Sequence, residues 1–93
     1  MTGGYGCIGS WVVKKLVEAG HDVGIFDLVE DTHRLDLILD ADRRAKARFI
    51  AGDVSDAAAV RKAVEETAAT HILHLAGLQA PTCRANPIKG AMV

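Results

Sequence analysis

An α/β fold on a doubly wound parallel sheet, layered α/β/α, is what this sequence predicts, and three observations predict it. Three regularly spaced glycines, Gly3, Gly6 and Gly9, run straight into an apolar-periodic helix that begins near Cys7. Short apolar runs then alternate with helical patterns, each connection short, as parallel strands with right-handed crossovers require. The first such run, Asp22-Val23-Gly24-Ile25-Phe26-Asp27, closes on a carboxylate roughly 20 residues after the glycines.

The glycine stretch Thr2-Gly3-Gly4-Tyr5-Gly6-Cys7-Ile8-Gly9 has the build of a phosphate-holding loop. Gly3 and Gly6 allow a sharp turn and close backbone approach to an anion, while Gly9 lets the helix pack tightly on its neighbour. Free N–H groups of the first helical turn would point at the phosphate, with the positive end of the helix dipole behind them. The string reads in two registers, Gly4-x-Gly6-x-x-Gly9 or Thr2-Gly3-x-x-Gly6-x-x-Gly9. Taken alone it also fits a glycine-rich turn capping an ordinary helix.

In chain order, Cys7 to Ala19 reads as an amphipathic helix with Ile8, Val12, Leu16 and Ala19 near one face and Lys14, Lys15 and Glu18 off it, ended by Gly20 as a left-handed cap. His21 to Leu28 is a nearly apolar buried strand. Arg34 to Arg44 forms a solvent-facing helix through Leu35, Ile38 and Leu39, and Arg48 to Gly52 a third strand ending at Asp53. Ser55 is placed to cap a helix over Asp56 to Ala69 whose inward stripe is Val60, Val64, Thr67 and Ala68. Thr70 to Ala76 is the fourth strand, and everything after Gly77 reads as loop, with Pro81 and Pro87 as breakers.

Composition narrows the function classes. The chain has 93 residues, one small domain, and an apolar fraction of 49%, that of a folded protein. Eleven basic and twelve acidic residues are interspersed and leave a net charge of −1, so nothing calls for nucleic acid or an anionic membrane surface. No apolar run reaches a membrane span and no charged leader precedes the glycines, so the expected compartment is the cytoplasm. Cys7 and Cys83 are isolated thiols, which suits a reducing environment. His71 and His74, three apart on a strand, would point to opposite faces and so make a poor metal pair.

With Asp27 reached, the chain resembles the short-chain dehydrogenase/reductase superfamily, in its extended branch of NAD-dependent epimerases and dehydratases. That branch reads Thr-Gly-x-x-Gly-x-x-Gly, matched by Thr2, Gly3, Gly6 and Gly9. Two further signatures fall in order: Asp53-Val54 after the third strand and His74-Leu75-Ala76-Gly77 at the end of the fourth. The resemblance implies a partial Rossmann domain over residues 1–93, lacking most of its first strand and all of its C-terminal half. It also implies a bound NAD. Asp27 would accept from both adenosine ribose hydroxyls and repel a 2′-phosphate, favouring NAD over NADP. Asp53 and Val54 would meet the adenine, although Asp53 fits equally well as a turn residue after Gly52. Ala76 and Gly77 would let the fourth strand approach the inner ribose and pyrophosphate. Cys7, Ile8, Leu28 and Leu75, neighbours of these positions, complete the expected cofactor-binding set, with Cys7 a small packing residue beneath the cofactor. His33 and Arg34 open a polar segment near the adenosine end and read best as a solvated face.

The family's chemistry needs a Tyr-x-x-x-Lys pair, in which lysine lowers the pKa of the tyrosine that takes the substrate proton. The one tyrosine, Tyr5, is followed four residues later by Gly9, so no catalytic residue is expected in this chain, and no metal ligand. The expected parent is an epimerase or dehydratase acting on a sugar, nucleotide-linked, dimeric through helices outside this chain. A non-catalytic dinucleotide sensor and a non-functional gene remnant are the other readings, separated by flanking sequence. Only Met1 precedes Thr2, so the first strand of the sheet is expected to be missing. Such a strand buries three or four aliphatic side chains at roughly 1.5–3 kcal/mol each. The chain is accordingly expected to be an internal piece of a longer protein, marginal in isolation, with an open gap between its second and fourth strands.

Overall fold

The structure, a computed structural model, describes residues 1–93. Helix α1 covers Cys7–Glu18 and strand β1 Val23–Asp27, followed by α2 (His33–Ile38) and α3 (Ala41–Arg44). Strand β2 is Ala47–Ala51, and the chain ends with α4 (Ala57–Thr67), α5 (Ala80–Ala85) and α6 (Pro87–Met92). β1 and β2 pair in parallel in the register Val23 with Ala47 through Asp27 with Ala51, as the crossover between them requires.

The small parallel sheet and its helices are those of a partial Rossmann-like unit, but the details differ from expectation at several points. The phase of α1 is the first. Its buried residues are Gly9, Ser10, Val13 and Val17, whereas Ile8 is 73% and Trp11 53% exposed. Gly9 lies so close to Gly3 that the loop fixes the rotation of the helix, and Val13 and Val17 follow at one-turn spacing onto β1. Gly20 does adopt the left-handed conformation, at φ +88°.

The helix expected over Arg34 to Arg44 is instead two. Leu39 is extended, and the Asp40 side chain caps α3 by accepting from the Arg43 N–H at 2.8 Å. Leu35 and Leu39 are buried, so this segment is not a solvated one but closes the core with Tyr5, Val13, Val17, Val23 and Ile25. The cap of α4 is Asp56 rather than Ser55: its carboxylate accepts from Ala58 and Ala59 N–H at 3.0 and 3.2 Å. Ala63 is the buried residue of α4, Val60, Val64 and Thr67 are half-buried, and Ala68 is exposed in a left-handed cap at φ 50°. Pro81 and Pro87 do not break structure; they stand in the first turns of α5 and α6, where a missing N–H costs nothing.

The expected fourth strand forms no ladder of its own. It is represented by one parallel bridge between His74 and Thr2, while Thr2 also bridges in parallel to Phe26. Met1 and Thr2 therefore stand between β1 and the 73–75 segment. The Phe26 N–H donates to the Met1 carbonyl at 2.8 Å, the Thr2 N–H to the Leu73 carbonyl at 2.9 Å, and the Leu75 N–H to the Thr2 carbonyl at 3.2 Å. The gap expected to stay open is thus occupied by this two-residue stub, which bridges to Phe26 on one side and His74 on the other, and the 70–76 segment has not closed onto β1.

Candidate functional site

The glycine loop is tied at every turn. The Gly6 N–H donates to the Gly3 carbonyl at 3.1 Å, closing a tight turn, and the Ser10 N–H and hydroxyl both donate to the Gly6 carbonyl, at 2.9 and 2.6 Å. A Cβ on Gly9 would stand 1.9 Å from the Gly3 carbonyl oxygen, and one on Gly3, itself at φ +69°, would stand 2.7 Å from the Ala76 nitrogen. Gly3 and Gly9, of the register Thr2-Gly3-x-x-Gly6-x-x-Gly9, are thus held by backbone contacts, and a Cβ on Gly4 would stand 2.8 Å from the Ile25 side chain. Ser10 N–H is the first in α1 with a partner, so the Cys7, Ile8 and Gly9 N–H groups have none within the chain; Cys7 and Ile8 are exposed, and Gly9 is buried against Gly3. This cradle of unpaired donors at the positive end of a helix fits a pyrophosphate.

The sheet brings the other expected residues to this loop. Asp27 is the last residue of β1, half-buried, with its Oδ1 accepting from the Leu28 N–H at 2.8 Å and its Oδ2 accepting nothing within the chain. Leu28 itself is exposed. The Gly52 N–H donates to the Asp27 carbonyl at 3.0 Å, which sets Asp53 and Val54 beside Asp27. Leu75 and Ala76 run against Gly3 and are held there by Thr2, whose Oγ1 accepts from both of their N–H groups at 3.2 Å and contacts His74 Nδ1 at 2.6 Å. Glycine loop, Asp27, Asp53 and Ala76 therefore gather at the carboxyl ends of parallel strands, the end at which such sheets bind ligands.

Gly77 is the looser member: a Cβ there would meet nothing within 4 Å. Asp53 makes its turn, as its alternative reading has it: the Ser55 hydroxyl and N–H donate to Oδ1 at 2.7 and 2.9 Å and hold its carboxyl below the usual carboxylate range. Cys7 and Ile8 are exposed on the outer side of the first turn. A hollow of about 370 Å³ (Ile8, Trp11, Val12, Lys15, Leu16) lies along the outside of α1, and one of about 200 Å³ (Cys7, Ser10, Trp11, Arg34, Leu37, Ile38) lies between α1 and α2. The unpaired donors of the first turn and the Asp27 carboxylate make the strand ends the candidate site.

Three residues around the candidate site carry no signal in the motif. Tyr5, a variable position of the glycine string, is 6% exposed, its ring tilted on Phe49 at 6.0 Å between centroids. Ser10, one residue beyond the pattern, is 1% exposed. His33 and Arg34 are exposed, as expected, and the Arg34 guanidinium also donates to the Tyr5 carbonyl at 3.2 Å. No group of three or more His, Cys, Asp or Glu side chains is placed to hold a metal ion, and no helix is long and apolar enough to cross a membrane.

Residues 1–86 match the family described as GDP-mannose 4,6 dehydratase. The chain belongs to that family. Among curated relatives of this dehydratase-family chain is a UDP-glucose 4-epimerase of Klebsiella pneumoniae, 33% identical over 86% of this chain and 58% of the relative. A UDP-glucose 4-epimerase of Pasteurella multocida is 35% identical over 86% of this chain and 24% of its own length. A bifunctional UDP-glucose 4-epimerase and UDP-xylose 4-epimerase of Arabidopsis thaliana is 32% identical over 86% and 24%. The chain thus spans from about a quarter to somewhat over half of these relatives. The family implies a nicotinamide dinucleotide cofactor, and the cradle of unpaired N–H groups is of the right kind for one.

Proposed function

We propose that this chain is the NAD-binding segment, the first part of a three-layer Rossmann domain, of an epimerase or dehydratase acting on a nucleotide-linked sugar. The observation that carries the reading is the convergence of the unpaired Cys7, Ile8 and Gly9 N–H groups with Asp27 and with the Leu75–Ala76 backbone at one end of the sheet. In this arrangement the first turn of α1 holds the pyrophosphate, Gly3 and Gly9 keep it reachable, and Asp27 accepts from the adenosine ribose hydroxyls. Asp53 and Val54 border the adenine, Leu75, Ala76 and Gly77 the inner ribose, with Cys7, Ile8 and Leu28 forming the rim. A nicotinamide dinucleotide held by these residues would supply reversible hydride transfer with the sugar. What this chain itself supplies is binding and orientation. Tyr5 is buried beneath the loop and sits four residues before Gly9, not a lysine, so it is not assigned a part in proton transfer. The sugar site, the dimer contacts and a cytoplasmic location belong to the same proposal.

Asp27 sets the choice of NAD over NADP. A 2′-phosphate at the ribose would meet the carboxylate, and Asp27→Ala removes both the repulsion and two hydrogen bonds to a charged acceptor, each worth roughly 1.5–3 kcal/mol. In the complete protein, calorimetric titration of Asp27→Ala is expected to show weaker NAD binding and a gain for NADP relative to NAD. Unchanged affinity for both nucleotides would remove Asp27 from the site.

A further inference from the structure

The glycine loop carries a fastening that the family motif does not specify. Tyr5 lies between Gly4 and Gly6 and is held twice, its ring buried against Phe49 of β2 and its carbonyl accepting from the Arg34 guanidinium at 3.2 Å. Arg34 arrives from α2, on the far side of Asp27 in sequence, so this one bond joins the loop to the segment after β1. The peptide between Tyr5 and Gly6 is trans and planar, so its C=O and N–H point in opposite directions. Arg34 takes the first, and the Gly3 carbonyl takes the second at 3.1 Å. That peptide is thereby pinned at both ends immediately before the Cys7, Ile8 and Gly9 donors. Ser10 fixes the next peptide through the Gly6 carbonyl.

We propose that Arg34 is a positioning residue for dinucleotide binding: by clamping the Tyr5 carbonyl it sets the glycine loop in the conformation that aims the three unpaired N–H groups at a pyrophosphate before the ligand arrives. The proposal rests on the dinucleotide-binding reading above and adds to it a residue that touches the loop, not the ligand. A preformed loop spares the ligand the entropy of ordering it. The bond is charge-assisted but lies at an exposed side chain, so its loss is felt as a modest, selective weakening. Lysine keeps the charge and one donor, and only one guanidinium nitrogen is used here, so Arg34→Lys retains most of the effect.

The test compares wild type, Arg34→Met and Arg34→Lys in the complete protein, with NAD, ADP and adenosine as probes. Arg34→Met is expected to bind NAD and ADP roughly 5- to 10-fold more weakly, and Arg34→Lys within about twofold of wild type. Adenosine, which has no pyrophosphate, is expected to change less than about twofold in either variant, a split that a general loss of packing would not produce. In the ligand-free proteins, amide exchange at Cys7, Ile8 and Gly9 is expected to accelerate in Arg34→Met and to recover in Arg34→Lys. Full NAD affinity in Arg34→Met, or equal losses for ADP and adenosine, would overturn the clamp. Wild-type protein that binds no NAD would overturn the dinucleotide reading instead, and unchanged amide exchange in Arg34→Met would still refute the clamp. Should Arg34→Met melt, Arg34→Gln is read in its place by the same measures.

Discussion

Residues 1–51 and residues 52–93 are built differently although both contribute to the proposed site. Every member of the buried cluster, from Tyr5 to Leu39, lies in the first region, where α1, α2 and β1 close on one another. The second region buries one residue, Ala63, and leaves Ile72, Leu73, Leu75, Ile88 and Met92 exposed. It is attached through Thr2 to His74 and through Gly52 to Asp27. The glycine-loop and Asp27 ends of the proposed site therefore rest on packed structure, whereas its Leu75–Ala76 end rests on hydrogen bonds to a single threonine. Apolar burial is what rigidifies a loop, and a hydrogen bond to a part-exposed strand is worth much less.

The largest test of that contrast is a pair of truncations in the chain itself. Leu35→Ala, at a position 1% exposed, is expected to cost roughly 2–5 kcal/mol in urea unfolding. Leu73→Ala is expected to cost about 0.5 kcal/mol or less, as surface changes do. Equal costs would mean that the second region has a core of its own.

Thr2→Val comes next, an isosteric change that removes the acceptor shared by the Leu75 and Ala76 N–H groups and the contact with His74. It is expected to cost about 1–3 kcal/mol, and to accelerate amide exchange at Leu75 and Ala76 while leaving Val13, Val17 and Leu35 protected. Uniform acceleration across both regions would show that they unfold as one unit.

The smallest effect is alkaline. Burial, with the nearby Glu30 and Asp27 carboxylates, pushes the Tyr5 phenol above its ordinary pKa of 10.0, against the opposing pull of Arg44. The folded state then holds its phenol proton more tightly than the unfolded state. Stability is therefore unaffected below pH 10 and falls as pH rises from there through the folded pKa. Thermal melts against pH are expected to show this alkaline slope in wild type and not in Tyr5→Phe; identical slopes would mean that the ring is solvated.

How much was legible in the sequence follows from how local each signal is. The start of α1, the left-handed Gly20 and the parallel pairing of β1 with β2 are set by glycine conformation and short apolar runs, and all were readable. The inner face of α1 was not, because Ile8, Trp11, Val12 and Leu16 make a stronger apolar stripe than Gly9, Ser10, Val13 and Val17. Helix phase is decided by the close approach of Gly9 to Gly3, a contact that hydrophobicity does not report. Asp40 split the second helix because an aspartate offers the backbone a rival cap. Pro81 and Pro87 read as breakers because a proline in a first turn and one in a loop look alike from sequence. At the site, the motif gave the glycines and Asp27. It gave neither Ser10 nor Arg34, whose parts depend on a fold already formed.

The central claim is that the first turn of α1, Asp27 and the Leu75–Gly77 backbone form one dinucleotide site. It is tested most directly by titrating NAD into the complete, isotope-labelled protein and following backbone amides. The account predicts saturable shifts at Cys7, Ile8 and Gly9, together with Asp27 and Leu75 to Gly77. An absence of saturable binding, or shifts confined to the Trp11, Val12, Lys15 and Leu16 hollow on the outside of α1, would contradict it.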